Sequence, residues 1–184
     1  MKVLSIDPAI RNTGYAVLEG DHRDARALEY GTLSLKKTLP QSECLLEIHR
    51  CVLNLIKKWQ PDELAIEAII YVQSHRTAIT MGSARAATVL AAAESGLRIM
   101  EYPPLCVKQA AVGRGSADKS QVAFMMRAIL GLDETPAPDA ADALAIGYAH
   151  LAATNPLLAP MFAKRQYVLA ARERASVGFS TDFS

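Results

Sequence analysis

The sequence lacks a strong net charge and a long hydrophobic run. Its 20 Lys and Arg residues nearly balance 19 Asp and Glu residues, so the formal net charge is only +1 and gives no general sign of nucleic-acid binding. The longest apolar stretch, residues 87–97, is interrupted by Glu94 and Gly96. Because a membrane-spanning helix needs about 20 apolar residues, we predict no membrane span.

The three cysteines cannot form a complete set of disulfides. Cys44 and Cys51 lie seven positions apart on a predicted helix, roughly 10 Å along its axis, which is too far for a bridge. The N-terminus enters a strand-like run after one lysine, without the layout of a secretory signal. We therefore expect reduced thiols and a cytoplasmic protein. The four histidines are scattered without ligand spacing, and we assign them no chemistry.

Apolar residues instead recur with the periods of strands and helices. Alternating or continuous apolar runs predict strands at residues 2–6, 14–19, about 26–35, 63–69 and 97–102, with Thr13 and Gly14 as a hairpin turn. Helical periodicity covers residues 42–59, about 77–94, 103–112, 119–130 and 140–154. This order predicts an α/β fold with a five-stranded mixed sheet flanked by helices.

The 184 residues fit one domain of ordinary size. We place this domain at residues 1–155. After Asn155, two prolines, a basic stretch and a Ser/Gly-rich end indicate that residues 156–184 form a weakly docked or disordered tail.

Two acidic residues end strand-like runs that are otherwise apolar. Asp7 ends the first strand and Glu67 ends the run LAIE, and both runs are apolar enough to lie centrally in the sheet. If these strands are adjacent and parallel, both carboxylates emerge at one edge. Strand-end acids are also often simply solvated, so each acid alone is weak support for a site.

A second acidic pair opens the segment PDAADALAIGYAH. We expect Asp139 to act as the N-cap of a helix and Asp142 to lie on the same helix face. Four buried carboxylates at one edge would repel one another and require cations. Oxygen ligands without His or Cys favour Mg²⁺ or Mn²⁺, so our hypothesis is a two-metal site for phosphoryl transfer.

Bases are concentrated between residues 98 and 127, which contain five Lys and Arg residues against two acids. Within this segment, Gly113 and Gly115 precede a helix that starts near Lys119, where free backbone N–H groups could face a phosphate. The helix dipole disfavours a lysine in the first turn, so Lys119 suggests a function. A plain surface lysine is an equally good interpretation of that pattern.

Four motifs together resemble one known family. IDPAIRNTGYAV, LAIEAI, VKQAAVGRGSADKSQV and PDAADALAIGYAH, in this order, closely resemble RuvC-type Holliday junction resolvases of the ribonuclease H-like superfamily. The match runs nearly collinearly from Val3 to His150 and leaves the tail unmatched.

The resemblance implies a set of site residues and partners. The family's metal-binding acids fall on Asp7, Glu67, Asp139 and Asp142, and its junction-binding and transition-state lysines fall on Lys108 and Lys119. We add Arg114, Tyr71 and Arg76 as DNA-contacting candidates. The implied enzyme is a homodimer with two Mg²⁺ per active site, for which Mn²⁺ can substitute. It would nick two like strands of four-way junction DNA symmetrically, in recombination and repair, and cooperate with a branch-migration motor.

The chain departs from the family pattern at several positions. Ala9 stands where the family usually has glycine, and Ala86 also replaces a common glycine. After Glu67, the family has a residue pattern with an aromatic side chain that wedges against bases. This chain has Ala68 and Ile70 there, and Tyr71 is the candidate replacement for base stacking. None of these positions is a metal ligand, so the departures concern junction distortion and sequence preference.

Three other interpretations remain open from the sequence. The first is a ribonuclease H-like nuclease with another nucleic-acid substrate. The second is a catalytically weak junction-binding protein, suggested by the altered residues after Glu67. The third is an actin-like ATP-dependent kinase, since IDPAIRNTG loosely resembles the phosphate-binding hairpin of that superfold, although the chain is short for two such lobes.

Overall fold

A mixed β-sheet forms the centre of the molecule, for which a computed structural model describes residues 1–69, 74–162 and 167–169. The strands are β1 (Lys2–Asp7), β2 (Asn12–Glu19), β3 (Arg26–Ser34), β4 (Glu63–Glu67), β5 (Arg98–Tyr102) and β6 (Tyr167–Leu169). The helices are α1 (Gln41–Trp59), α2 (His75–Glu94), α3 (Pro104–Val112), α4 (Lys119–Leu130), α5 (Pro138–Ala153) and α6 (Ala159–Phe162). The predicted five-stranded α/β sheet with flanking helices is confirmed, and the short strand β6 extends it at one edge.

The central strands carry the acids of interest. The sheet order is β3-β2-β1-β4-β5-β6, in which β1 pairs antiparallel with β2 and parallel with β4. Residues Val3–Ile6 of β1 and Leu64–Ile66 of β4 are all buried, because helices cover both faces of the sheet. Burial on both faces explains why these strands are continuous apolar runs in the sequence.

Side-chain alternation along the strands divides the core into two layers. Leu4 and Ile6 pack with residues of α1 and α2, such as Val52 and Ala92. The opposite face of the sheet packs against α3, α4 and α5. None of the described helices combines the length and apolar character needed to cross a membrane.

Helix α5 is the most deeply buried helix on the second face. It lies across β1 and β2 and is covered on its outer side by α3 and α4. Eleven of its 16 residues are buried, mostly alanines, so its backbone comes close to the sheet. This close approach determines where its two acidic residues lie.

Two details of the sequence prediction are wrong. Asp139 is not the N-cap of α5, since the helix begins at Pro138 and the cap position, Ala137, makes no side-chain cap hydrogen bond. Proline is accommodated at the first helical position because its missing N–H is not needed there. Thr13 and Gly14 also belong to β2 and not to the preceding turn.

Part of the segment predicted as a tail carries regular structure. Phe162 of α6 is 1% exposed and packs edge-to-face against the ring of Tyr102. Strand β6 pairs antiparallel with β5, for example Glu101 with Tyr167. The division at residue 155 stays a prediction, and residues 170–184 lie outside the described part of the chain.

Candidate active site

Asp7 and Glu67 lie at the same edge of the sheet. Each is the last residue of its strand, and the parallel register aligns Ile6 of β1 with Ile66 of β4. The expectation that the two strands are adjacent and parallel is therefore confirmed. Both side chains are only partly exposed at the carboxyl ends of the strands, where the chain leaves the sheet.

The first turn of α5 reaches the same edge through a close backbone contact. Gly14 is the register partner of Asp7, and a Cβ atom at Gly14 would overlap the carbonyl oxygen of Asp139. Only glycine permits β2 to approach α5 so closely. Asp139 and, one turn later, Asp142 are thereby carried to the edge that bears Asp7.

These groups border one open cavity of about 330 Å³. Its polar lining consists of Asp7, Glu67 and Asp142, with Lys108 from α3 and Lys119 from α4. Apolar side chains, including Val107 and Val122, form the rest of its wall. The structure thus brings together residues from five separate elements, although Asp139 does not itself line the cavity, and the roles assigned to these residues stay predictions.

The carboxylates of this cavity are electrostatically strained. Burial raises the pKa of Asp7 from 3.8 to about 6, and the nearby carboxylates of Asp142 and Asp139 contribute to the same shift. Burial likewise raises the pKa of Glu67 from 4.5 to about 7, assisted by repulsion from Asp7 and Asp142. The site therefore stabilises added positive charge, whether as protons or as cations.

Lys119 supplies positive charge at this edge. Its ammonium Nζ donates a hydrogen bond to Asp142 Oδ2 at 2.7 Å, and this bond raises the pKa of Lys119. Lys119 is the first residue of α4, whose start is set by a capping box between Asp118 and Gln121. The cap explains how a lysine is tolerated in the first helical turn, since the side chain of Asp118 satisfies the backbone N–H group of Gln121 and leaves Lys119 free to face Asp142.

The ligand atoms at this site are of the type that a hard divalent cation prefers, but their present spacing does not suit one. Among the described residues that line the cavity, the possible metal ligands are the carboxylate oxygens of Asp7, Glu67 and Asp142, which matches the preference of Mg²⁺ and Mn²⁺. Within the described residues, no group of three or more Asp, Glu, His or Cys side chains is close enough together to hold an ion as it stands. Metal binding at these acids would therefore require side-chain movements, and Asp142 would have to exchange its hydrogen bond with Lys119 for a metal contact.

The remaining predicted contacts are spread around the cavity. Arg114 is exposed in the connection between α3 and α4 and borders a separate surface groove with Phe124. Arg76 is exposed in the first turn of α2. Ile70 and Tyr71 lie outside the described residues, so the proposed aromatic replacement stays a prediction.

Several polar contacts connect the elements that carry the site residues, and these contacts were not predicted from the sequence. The Thr13 hydroxyl donates to the Ala9 carbonyl at 2.7 Å and holds the loop that follows Asp7. The ion pair between Arg85 and Glu101 ties α2 to β5. Ser5, buried in β1, donates to α5. A lone hydroxyl inside an apolar strand was the signal that could have identified Ser5.

The fold and the acidic edge define a class of protein, a ribonuclease H-like nuclease domain with a carboxylate site at the carboxyl ends of its central strands. The model of the family "Crossover junction endodeoxyribonuclease RuvC" matches residues 3–150. The chain therefore belongs to the RuvC family of crossover junction endodeoxyribonucleases. The resemblance inferred from the four motifs is confirmed, and family membership decides against the kinase interpretation.

Individual relatives agree with this assignment. A crossover junction endodeoxyribonuclease RuvC from Akkermansia muciniphila is 65% identical over 168 residues, which cover 91% of this chain and 100% of that protein. Among solved structures, T. thermophilus RuvC in complex with Holliday junction substrate is 37% identical with a TM-score of 0.77, covering 82% of this chain and 92% of that one. The yeast mitochondrial Holliday junction resolvase, 14% identical with a TM-score of 0.58, covers 81% of this chain and 77% of that one and shares the fold.

Proposed function

We propose that this protein is a structure-selective endonuclease that resolves four-way DNA junctions by paired symmetric nicks, in homologous recombination and DNA repair. One observation carries the proposal. Asp7 and Glu67 end adjacent parallel strands and share a cavity with Asp142 and Lys119, in a chain whose residues 3–150 match the RuvC family. A solved relative is bound to a Holliday junction, which supports the same class of substrate here.

Asp7, Glu67, Asp139 and Asp142 are the residues that would hold two Mg²⁺ ions, with Mn²⁺ as a substitute. When bound, such ions activate a water molecule and stabilise the leaving oxygen of a phosphodiester. The protein's own part is to bring these carboxylates to one edge of the sheet and to hold Lys119 beside them. Because burial and mutual repulsion raise the pKa values of Asp7 and Glu67, we expect metal binding to strengthen as the pH rises through 6 to 7.

The two lysines have different proposed roles. Lys119 is paired with Asp142 and lies where it can donate to a phosphate held among the acids, so it stabilises charge that develops during cleavage. Lys108 lies on the α3 wall of the cavity and contributes to DNA affinity. Arg114, Arg76 and Tyr71 are proposed to contact the arms of the junction.

Symmetric nicking requires two active sites on one junction, so we propose a homodimer. Each site would cut one of two like strands and leave 5′-phosphate and 3′-hydroxyl ends that a ligase can seal. On the basis of the same family we also propose cooperation with a branch-migration motor and a location in the cytoplasm. The free thiols of Cys44, Cys51 and Cys106 agree with a reducing compartment.

The direct test is cleavage of a synthetic four-way junction, mapped to single nucleotides, with Mg²⁺, Mn²⁺ or EDTA. We expect paired nicks at symmetric positions in the presence of Mg²⁺. Asp7→Asn should reduce the rate by at least about 1,000-fold while junction binding in EDTA persists. Asp133→Asn, which alters an exposed carboxylate outside the cavity, is the matched control and should cleave normally.

The same assay distinguishes the competing functions. Linear duplex, flap and RNA–DNA hybrid substrates are tested beside the junction. Faster cleavage of any of them would identify a ribonuclease H-like nuclease with another substrate. Tight junction binding with no nicking above the Asp7→Asn level would identify a junction-binding protein with little catalytic activity.

A further inference from the structure

Ser5 connects the central strand to the helix that bears two of the acids. It is completely buried in the middle of β1. Its hydroxyl lies 2.7 Å from the carbonyl oxygen of Ala143 in α5 and 3.2 Å from that of Ala16 in β2. A hydroxyl group has one proton to donate, so the shorter bond to Ala143 is the main one.

Gly147 forms the other half of this contact. A Cβ atom at Gly147 would lie 2.7 Å from the Ser5 hydroxyl and 2.8 Å from Cδ1 of Leu18, both of which are buried. Leu18 Cδ1 is the end of a flexible side chain, whereas the Ser5 hydroxyl is held by its hydrogen bond to Ala143, so the contact with Ser5 is the harder one to relieve. Glycine is therefore needed here for close approach of α5 to the sheet, although it is a poor residue for a helix interior.

The contact lies close to the acidic residues along both chain segments. Ser5 precedes Asp7 by two positions, so both side chains point to the face of the sheet that carries α5. Ala143 directly follows Asp142. A displacement of α5 along β1 at this point would change the separation of Asp142 from Asp7.

We propose that Ser5 and Gly147 form a complementary pair that sets the position of α5 on β1 and thereby the spacing of Asp142 from Asp7. Ser5 is a positioning residue, since it acts through α5 and touches no reacting atom. This inference rests on the proposed function only in taking Asp7 and Asp142 as metal ligands.

The test is a double-mutant cycle on the full chain with two measurements. Thermal unfolding in EDTA reports the packing, and Mn²⁺ binding by calorimetry or electron paramagnetic resonance reports the acids without DNA. We expect Gly147→Ala to lower Tm by roughly 5 °C and to weaken Mn²⁺ binding by about tenfold, because the added methyl overpacks the contact. Ser5→Ala alone should weaken Mn²⁺ binding by about threefold.

The double variant gives the sharpest result. Removing the hydroxyl relieves one of the two close contacts of the added methyl and leaves only the side chain of Leu18 to adjust. Ser5→Ala with Gly147→Ala should therefore bind Mn²⁺ more tightly, and melt at a higher temperature, than Gly147→Ala alone. Purely additive effects on both measurements would overturn the proposal. If Gly147→Ala does not fold, recovery of a folded protein in the double variant supports the pair, and its absence together with unchanged Mn²⁺ binding in Ser5→Ala overturns it.

Two controls separate the possible failures. Leu151→Ala creates a cavity in the C-terminal half of α5 and should lower Tm without changing Mn²⁺ affinity more than about twofold. Equal loss of Mn²⁺ affinity in Leu151→Ala would show that general destabilisation is the cause. Asp7→Asn tests the metal site itself: if it retains full Mn²⁺ binding, the metal-binding part of the proposed function fails, whereas loss in Asp7→Asn with no effect of Ser5 or Gly147 variants overturns only the positioning role.

Discussion

Burial shifts the pKa values of ionisable groups in opposite directions at the two ends of α5. At the N-terminal end, Asp142 faces Asp7 and Glu67, and burial with mutual repulsion raises the pKa values of both strand-end carboxyls. At the C-terminal end, His150 is 1% exposed, and burial lowers its pKa to about 4, with a contribution from the nearby positive charge of Arg98. Acidic residues therefore lie close together at the N-terminal end of α5, while His150 is neutral at the C-terminal end.

The polar contacts of His150 at the C-terminal end are structural. His150 Nδ1 lies 2.9 Å from the Tyr102 hydroxyl, and its Nε2 lies 3.3 Å from Glu63 Oε2, although too poorly aligned for a hydrogen bond. Packing and this polar contact account for His150 without any chemistry. Burial and repulsion of the acids at the N-terminal end oppose folding, and this agrees with the cation site proposed there.

After the loss of Asp7, the largest expected effect on cleavage comes from the loss of Lys119, which pairs with Asp142. Lys119→Met should reduce the single-turnover cleavage rate by about 100-fold to 1,000-fold, because a donor to the developing charge is lost. Junction affinity in EDTA should change by less than about threefold, since Lys119 is one of many basic contacts. Lys57→Met, on the exposed side of α1, is the control and should behave as the unaltered protein. A loss of affinity equal to the loss of rate would contradict a role in the chemical step.

The acidic end should destabilise the metal-free protein at neutral pH. Because the folded-state pKa values of Asp7 and Glu67 lie above their ordinary values of 3.8 and 4.5, the associated stabilisation is complete below those values and is lost as the pH rises through 6 and 7. Asp7→Asn should therefore raise the free energy of unfolding in EDTA at pH 8 by about 2 kcal/mol. Urea unfolding from pH 4 to 8 measures this, and an unchanged or lower stability would count against repulsion at the site.

His150 should show the opposite dependence on pH. Its folded-state pKa of about 4 lies below the ordinary 6.5, so its stabilisation is complete above pH 6.5 and is lost as the pH falls toward 4. His150→Gln removes this titration. Between pH 7 and 4, the decrease in the free energy of unfolding should therefore be about 2 kcal/mol smaller in His150→Gln than in the parent. Both proteins are compared in the Asp7→Asn background, which removes one of the two acids that titrate in the same range and leaves the contribution of Glu67 common to both. Parallel curves for both proteins would show that His150 does not titrate in this range.

The smallest expected effect is on DNA binding. Lys108→Ala should weaken junction binding by about tenfold and reduce the slope of log affinity against log salt by about one. Cleavage at saturating protein should be little changed. Fluorescence anisotropy at several salt concentrations measures both quantities, with Lys57→Ala as the surface control. An unchanged salt slope would mean that Lys108 makes no phosphate contact.

Most elements of the fold were predictable because local patterns report them directly. The helix over residues 119–130 was predicted with its observed bounds, since Asp118 and Gln121 supply a strong start signal and Gly131 a stop. The start of α5 was misjudged because Pro138 and Asp139 are both good residues near a helix start, and the backbone took the proline as its first residue. Strand β6 was not predicted, since its pairing with β5 is long-range.

In the candidate site, too, only the residues that stand out in a local pattern were predictable. Asp7 and Glu67 were visible because a charged residue at the end of an apolar run differs sharply from its neighbours. The contact between Ser5 and Gly147 was not visible, because the two residues lie 142 positions apart and the lone hydroxyl of Ser5 does not indicate its partner. The pairing of Lys119 with Asp142 also depends on how α4 packs against α5.

The order of amino acids by itself determined which segments are strands and helices and which carboxylates stand at their ends, because both follow from the period of apolar residues. Only the tertiary structure decided that these ends meet. Parallel pairing of β1 with β4 and the close seating of α5 at Gly14, Ser5 and Gly147 bring the acids to one cavity. The acids converge because distant parts of the chain pack together. Burial and close backbone approach set the distances between them, and local conformational preference does not.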